Sequence, residues 1–326
     1  MIQTDNLSKQ FNDFLAVDRV NLQVNPGEVL ALLGPNGAGK TTTLRMLTSV
    51  LRPSMGWAKV AGFDVVAQPA QVRAVVGILT EQHGLYGRMN ADEYLDFFGQ
   101  VYRMNAANRR KRSDELLEQY GLAVDRKRRI GEYSKGMRQK LALARALIHD
   151  PPVLLMDEPT SAMDPESARL VRDAIHGLRS ANRAIIICTH NLAEAEELSD
   201  KIAIIHRGRI IISGEVEELK TRLLGAPQFE LRLGTNIEGI ALPLPDSIIV
   251  TDQGPDWLKY QATDPNNENP LVIQSLVRHN IAVVGLAEVP HSLEKVYLQA
   301  INTVDGGNHA PVSQGQVLPG GFEHAG

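Results

Sequence analysis

Two hydrophobic patterns alternate over roughly the first 226 residues of the chain. Short aliphatic runs, several of them apolar on both faces, are separated by longer stretches with apolar residues at helical spacing. This alternation predicts an α/β domain. The predicted strands cover residues 28–33, 76–79, 153–157, 184–189, 201–206 and 209–213. The predicted helices cover residues 40–50, 91–103, 113–120, 135–149, 165–180 and 191–198.

Two regions depart from this alternation. Residues 91–149 contain helical patterns and no convincing strand, which predicts an all-helical insertion in the sheet domain. After residue 226 the patterns become shorter and predict a small α+β unit. Its predicted strands cover residues 229–233, 248–250 and 281–286, and its predicted helices cover residues 270–278 and 292–300.

Charge and composition divide the chain at similar places. Residues 227–326 hold 4 Lys and Arg against 11 Asp and Glu, whereas residues 1–226 carry a small net positive charge. Residues 302–326 contain six Gly and two Pro, a composition typical of a disordered tail. We therefore expect a first domain over residues 1–226, a small α+β domain over 227–301 and a disordered tail over 302–326.

Several protein classes are disfavoured by composition. The single cysteine, Cys188, excludes an internal disulfide and fits a reducing cytosol. No apolar run approaches the roughly 20 residues of a membrane-spanning helix, and the N-terminus lacks the apolar core of a signal peptide. The net charge of −4 gives no general attraction to nucleic acid. Two basic clusters, residues 109–112 and 126–129, have no interleaved aromatics and are interpreted as solvated helix faces. We expect a soluble cytosolic protein that binds no nucleic acid.

A glycine-rich loop carries the clearest chemistry. It has the form GxxxxGK[ST], follows an aliphatic strand and precedes a helical pattern. Backbone N–H groups of such a loop bind phosphate oxygens at a helix N-terminus. Lys40 is expected to reach the β- and γ-phosphates, and Thr41 to coordinate Mg²⁺. The nucleotide-binding residues predicted here are Gly34, Pro35, Asn36, Gly37, Ala38, Gly39, Lys40, Thr41 and Thr42.

A second aliphatic strand ends in two adjacent carboxylates, Asp157 and Glu158. Side chains alternate along a strand, so the two carboxylates cannot occupy the same position. Asp157 suits the Mg²⁺ shell, while Glu158 is expected to face the water that attacks the γ-phosphate. Together with the loop, this strand predicts a catalytic nucleotide site.

The chain resembles the ATP-binding subunit of ABC transporters over roughly residues 1–220. The most specific element is Tyr-Ser-Lys-Gly-Met-Arg-Gln at residues 133–139, which is similar to the family's LSGGQ sequence and lies shortly before Asp157. The resemblance implies a P-loop NTPase fold, ATP and Mg²⁺ as cofactors, and a helical subdomain. It also implies that Ser134, Gly136 and Gln139 bind the ATP held by the opposite protomer.

Further positions match the same family. Residues 161–164 resemble the segment that crosses the dimer interface, and His190 resembles the histidine that contacts the γ-phosphate. Phe11 resembles the aromatic residue that stacks on adenine, with Phe14 as an alternative. The family's metal- or water-contacting glutamine aligns with Glu81, but Gln82 is its neighbour. Both remain candidates for that role.

The resemblance extends to function. Residues 227–301 resemble the appendage of exporters of the drug, antibiotic and sodium efflux type. Because the phosphate loop occurs once, the chain is expected to pair with a second copy or a close paralogue. We expect the ATPase subunit of an exporter, lying on the inner face of the cell membrane and driving a separate integral membrane permease. The alternative is a soluble ABC ATPase that serves an assembly unrelated to transport.

Overall fold

The computed structural model describes residues 1–80, 84–161, 163–289 and 292–305. Within these residues the strands are β1 (Ile2–Phe11), β2 (Phe14–Val20), β3 (Gln23–Val24), β4 (Val29–Leu33), β5 (Met55–Val60), β6 (Phe63–Asp64), β7 (Val76–Leu79), β8 (Val153–Asp157), β9 (Ala184–Thr189), β10 (Lys201–His206), β11 (Arg209–Glu215), β12 (Gln228–Leu233), β13 (Ile249–Gln253), β14 (Trp257–Gln261) and β15 (Val283–Val289).

The helices follow the same chain order. They are α1 (Lys40–Leu47), α2 (Pro69–Val75), α3 (Ala91–Val101), α4 (Ala106–Gln119), α5 (Lys135–Leu147), α6 (Pro165–His176), α7 (Leu192–Leu198), α8 (Val216–Leu224), α9 (Pro265–Arg278) and α10 (Leu293–Asp305). Among the described residues, no helix has both the length and the apolar composition needed to cross a bilayer.

The central sheet has the strand order β11-β10-β4-β9-β8-β7. The strands from β10 to β7 are parallel, and β11 forms an antiparallel hairpin with β10. Every residue of β4, β8 and β9 is buried, which explains why these strands are uninterrupted aliphatic runs in the sequence. The α/β fold class predicted from the sequence is confirmed, and these strands begin and end within about two residues of their predicted limits.

A second, antiparallel sheet with the order β2-β1-β5-β6 covers α1, and β3 joins it alongside β1. Leu7 and Ala58 of this sheet pack with Leu44 and Met46 of the helix in one buried cluster. The sequence patterns did not predict these strands as a sheet. The pairing of β1 with both neighbours contains register shifts, which break the regular alternation of buried and exposed positions.

Between β7 and β8, the regular elements of the described residues are the helices α3, α4 and α5 and a short 3-10 turn over residues 130–132. Helices α3, α4 and α5 pack around a buried group that includes Tyr94, Leu116 and Leu143. Helix α4 begins earlier than the predicted residue 113, because the Asn105 side chain accepts a hydrogen bond from the Asn108 N–H at 2.8 Å and caps the helix there.

The third sheet has the order β13-β14-β12-β15 and packs against α9 through Val272 and Leu276. Helix α10 follows this sheet in sequence but packs elsewhere. Its residues Leu293, Val296 and Ala300 belong to the buried cluster formed by α8 and the central sheet. The last helix of the predicted appendage therefore contacts the sheet domain. It also continues to residue 305, past the predicted start of the tail, and residues 306–326 lie outside the described residues.

Candidate nucleotide-binding site

The glycine-rich loop joins the end of β4 to the start of α1, as the sequence predicted. Gly39 has a φ of 108°, and a Cβ atom there would lie 2.7 Å from the Ala16 carbonyl oxygen. A Cβ on Gly34 would lie 2.3 Å from the carbonyl oxygen of Ile205. Both contacts are too short for a side chain, so the close packing of the loop against β2 and β10 requires glycine at these positions.

Lys40 begins α1 and is almost completely buried. Its Nζ donates a hydrogen bond to the Gly34 carbonyl at 2.6 Å and lies 3.2 Å from Oε1 of Glu158. A buried ammonium group needs such partners, because an unpaired buried charge is unfavourable. The loop and the end of β8 are thereby joined by one side chain.

The two carboxylates at the end of β8 have different partners. Asp157 Oδ2 accepts a hydrogen bond from the Thr41 hydroxyl at 2.7 Å. Glu158 has a φ of 51°, a left-handed conformation that is uncommon outside glycine and that is found at functional sites. Its N–H donates to the Cys188 carbonyl at 2.8 Å, which fixes this residue against the end of β9.

His190 follows β9 and contacts the same glutamate. Its Nδ1 lies 2.8 Å from Oε2 of Glu158, so the carboxylate lies between the imidazole and the Lys40 ammonium group. Lys40, Glu158 and His190, which the sequence predicted to act together at the γ-phosphate as catalytic residues, are thus brought together from three separate segments of the chain.

A cavity of about 280 Å³ lies beside these groups. Phe11 and Phe14, which pair across the β1–β2 hairpin, both line it and are 44% and 64% exposed. Both aromatic candidates therefore adjoin the phosphate-binding loop. The loop residues on the cavity wall are Pro35, Asn36, Gly37, Gly39, Lys40, Thr41 and Thr42. The side chain of Ala38, another predicted nucleotide-binding residue, is buried in the apolar cluster below the loop.

Ser134 and Gly136 lie at the start of α5. The Ser134 hydroxyl caps this helix by accepting a hydrogen bond from the Met137 N–H at 3.2 Å. A Cβ on Gly136 would lie 3.0 Å from the hydroxyl of Ser167 on α6. Among the described residues that line the Lys40 cavity, neither Ser134 nor Gly136 is present.

Gln139, which the resemblance predicted to bind nucleotide, lies one turn further along α5. It is buried, and its side-chain amide donates a hydrogen bond to the Pro159 carbonyl. Its amide nitrogen is engaged within the protein, so the residue supports the segment after Glu158. Glu81 and Gln82, the alternatives for the metal- or water-contacting position, lie outside the described residues.

The sequence analysis missed one part of the site. The buried carboxylate of Glu194 accepts hydrogen bonds from the hydroxyls of Thr160, at 2.7 Å, and Thr189, at 2.6 Å. Thr160 lies two residues after Glu158, and Thr189 immediately precedes His190. The available signal was an acidic residue in the first turn of a helix, which ordinarily indicates no more than a favourable interaction with the helix dipole.

The basic clusters of the helical segment are occupied by ion pairs. Arg126 contacts Asp92 at 2.6 Å and also Asp114, and Arg109 contacts Asp96 at 2.7 Å. The Arg126 pairs hold α3 and α4 to the turn that carries Arg126, and the Arg109 pair joins α4 to α3. Residues 109–112 lie on α4, but residues 126–129 lie in the turn that follows it, so the prediction of a helix face is wrong for the second cluster.

Together, the strand–loop–helix phosphate site, the acidic end of β8 and the helical segment define a P-loop ATPase. The family model described as "ABC transporter" matches residues 17–161. The chain is 43% identical to the ABC transporter ATP-binding protein NatA of Bacillus subtilis over 224 residues, covering 67% of this chain and 91% of that protein. It belongs to the ABC transporter family, as an ATP-binding protein, and is an ATPase.

Other relatives match over a longer stretch. The daunorubicin resistance ATP-binding protein DrrA3 of Streptomyces coeruleorubidus is 34% identical over 299 residues, covering 91% of this chain and 94% of that protein. Among solved structures, an ATP-binding subunit of an ABC transporter superimposes with a TM-score of 0.64 at 26% identity, covering 69% of this chain and 94% of that one. The predicted family and fold are confirmed.

Proposed function

We propose that this chain hydrolyses ATP as the motor subunit of an exporter and drives a separate integral membrane permease. The observation that carries the proposal is the position of the Glu158 carboxylate, 3.2 Å from the Lys40 ammonium group and 2.8 Å from the His190 imidazole, beside the cavity of the glycine-rich loop. The daunorubicin resistance relative that matches 91% of the chain supports the exporter role.

Each residue of the cluster has a distinct proposed role. The loop N–H groups and Lys40 bind the β- and γ-phosphates of ATP. Glu158 accepts a proton from the water that attacks the γ-phosphate. His190 orients the Glu158 carboxylate through their contact and would bind the γ-phosphate. The adenine stacks on Phe11, with Phe14 as the alternative ring on the same cavity.

The donor set fits Mg²⁺. The Thr41 hydroxyl and the Asp157 carboxylate are hard oxygen ligands of the kind Mg²⁺ prefers, and they lie within hydrogen-bond distance of each other. These two residues would hold the ion, which would neutralise charge on the β- and γ-phosphates. Glu81 or Gln82 would contact the ion or the attacking water.

The proposed assembly is a homodimer, or a dimer with a close paralogue, in which each ATP lies between two chains. Ser134 and Gly136 are absent from the described wall of the Lys40 cavity, yet the start of α5 presents N–H groups suited to a phosphate. They would bind the ATP of the opposite protomer. The dimer would be peripheral, on the cytoplasmic face of the membrane.

Mixing two inactive variants tests the shared site. Ser134→Arg and Lys40→Ala should each abolish hydrolysis in the pure protein. In a mixed dimer one site combines both changes and the other has neither, so phosphate release should reappear on mixing. Ser180→Arg, an exposed serine elsewhere, is the control and should stay active alone. Hydrolysis by pure Ser134→Arg would contradict the shared site.

The exporter role has its own test. We expect chemical cross-linking of the tagged chain in cells, followed by purification from the membrane fraction, to capture an integral membrane protein. Capture of soluble partners alone would favour the alternative of an ATPase in an assembly unrelated to transport.

A further inference from the structure

Glu194 is a buried acid close to the catalytic residues. It lies in the first turn of α7, four residues after His190, and is 2% exposed. The Asn191 side chain caps this helix by accepting a hydrogen bond from the Glu194 N–H at 3.2 Å. The backbone of Glu194 is therefore fixed relative to the end of β9.

Both carboxylate oxygens of Glu194 have a partner. Oε1 accepts the hydrogen bond of Thr160 and Oε2 that of Thr189, at 2.7 and 2.6 Å. The Thr189 hydroxyl also accepts an N–H from Asn191 at 3.0 Å, so its own proton is directed to the carboxylate. One side chain thus connects the segment after β8 with the last residue of β9.

Placing a carboxylate at this position is energetically costly. Burial disfavours its charged form and raises the pKa of Glu194, while the two threonine hydroxyls act in the opposite direction. An apolar residue would avoid this cost. The cost is understandable if the two hydrogen bonds hold the segment after β8 and the end of β9 in a fixed relative position.

The two connected segments carry the proposed catalytic groups. Glu158 has a left-handed backbone conformation, which persists only when surrounding contacts enforce it. The two residues that follow Glu158 are both held by side chains from other elements. Gln139 of α5 donates a hydrogen bond to the Pro159 carbonyl, and Glu194 accepts one from the Thr160 hydroxyl.

We propose that Glu194 is a positioning residue for ATP hydrolysis, which fixes the 2.8 Å contact between Glu158 and His190 by joining Thr160 to Thr189. This inference rests on the roles proposed above for Glu158 and His190. Glu194 itself does not touch the reacting groups. It determines where they lie relative to each other.

Substitutions at Glu194 give the primary test. Glu194→Leu keeps similar bulk and loses both hydrogen bonds, so kcat should fall by about 10- to 100-fold with little change in the KM for ATP. Glu194→Gln retains an acceptor for one hydroxyl and a donor for the other, and should recover much of the activity. The control is Glu196→Leu, on the same helix, where the acid faces Lys220 and activity should be unchanged.

Two milder variants keep the test decisive if Glu194→Leu does not fold. Thr160→Val and Thr189→Val have nearly the same shape and remove one hydrogen bond each. Each should lower kcat, and the double variant should fall by less than the product of the single effects, because both act through Glu194. Thermal unfolding of every variant separates folding from turnover.

The outcomes distinguish the inference from the proposed function. If Glu158→Gln turns over like the wild type, the proposed catalytic role of Glu158 is wrong. If Glu158→Gln is inactive but folded Glu194→Leu and both valine variants retain the wild-type kcat, the positioning role alone is overturned. A reduced melting temperature with unchanged kcat would make Glu194 a purely structural residue and would also overturn it.

Discussion

Oε1 of Glu158 lies 3.2 Å from Nζ of Lys40, and the two side chains are only 10% and 6% exposed. A buried pair of this kind leaves an uncompensated charge when one partner is removed. The phosphate-binding lysine and the proposed base therefore depend on each other. Substitutions at either residue need separate measurements of nucleotide binding and hydrolysis.

Glu158→Gln should retain Mg-ATP binding and lose hydrolysis. Glutamine keeps the shape of the side chain but cannot accept the proton of the attacking water, which predicts a loss of roughly 10²- to 10⁴-fold. Phosphate release measures turnover, and a fluorescent ATP analogue measures binding. Glu118→Gln, an exposed acid on α4, is the control. Near-normal turnover would transfer the catalytic role to another residue, with His190 the first to examine.

Lys40→Ala should lose most of its ATP affinity. The loop supplies backbone donors, whereas Lys40 supplies a full positive charge at the β- and γ-phosphates. Removing a charged hydrogen bond of this kind should weaken binding by at least about 10- to 100-fold. Titration with a fluorescent ATP analogue checks this, with the exposed Lys111→Ala as control. Tight binding by the Lys40 variant would contradict the assignment of the loop.

Gly39→Ala and Gly37→Ala should differ in stability. Both glycines have a positive φ, 108° and 81°, but a Cβ on Gly39 would collide with the Ala16 carbonyl while a Cβ on Gly37 would meet nothing within 4 Å. Gly37→Ala should lose about 1 kcal/mol from backbone strain alone, and Gly39→Ala clearly more. Urea unfolding of the two variants measures the difference. Equal losses would mean that the loop relaxes away from β2.

His149 should make the protein less stable in mild acid. Its ring stacks on Tyr102, with centroids 3.5 Å apart, and burial lowers its pKa from 6.5 to about 4. Between these pH values the unfolded chain binds a proton at His149 that the folded protein excludes. The contribution of His149 to the free energy of unfolding is therefore complete above pH 6.5 and is lost as the pH falls towards 4.

The matching variant is His149→Phe, which keeps the stacked ring and does not titrate. Between pH 7 and 5 it should lose roughly 2 kcal/mol less stability than the wild type. Urea unfolding at the two pH values checks this, since carboxylate effects are shared by both proteins. Parallel pH curves would show that the folded protein accepts a proton at His149.

The sequence by itself determined the features that depend on neighbouring residues. The loop before Lys40 is recognisable because strand, glycines and helix follow one another, and the strands buried on both faces are visible as aliphatic runs. The antiparallel N-terminal sheet was not predicted, because the register shifts of β1 disturb its alternation. The early start of α4 depended on the cap at Asn105, a single side-chain hydrogen bond.

Only the tertiary structure decided which distant groups meet. The contact of Glu158 with His190 exists because β8 and β9 are adjacent parallel strands that end at the same edge of the central sheet. The same adjacency lets Glu194 bind Thr160, just after β8, and Thr189, at the end of β9. The packing of α5 turns Gln139 towards the Pro159 carbonyl. Helix α10 packs on the sheet domain because its apolar face is buried against α8 and the central sheet. Hydrophobic periodicity reports which face of an element is buried, but the partner that buries it depends on strand order and chain path.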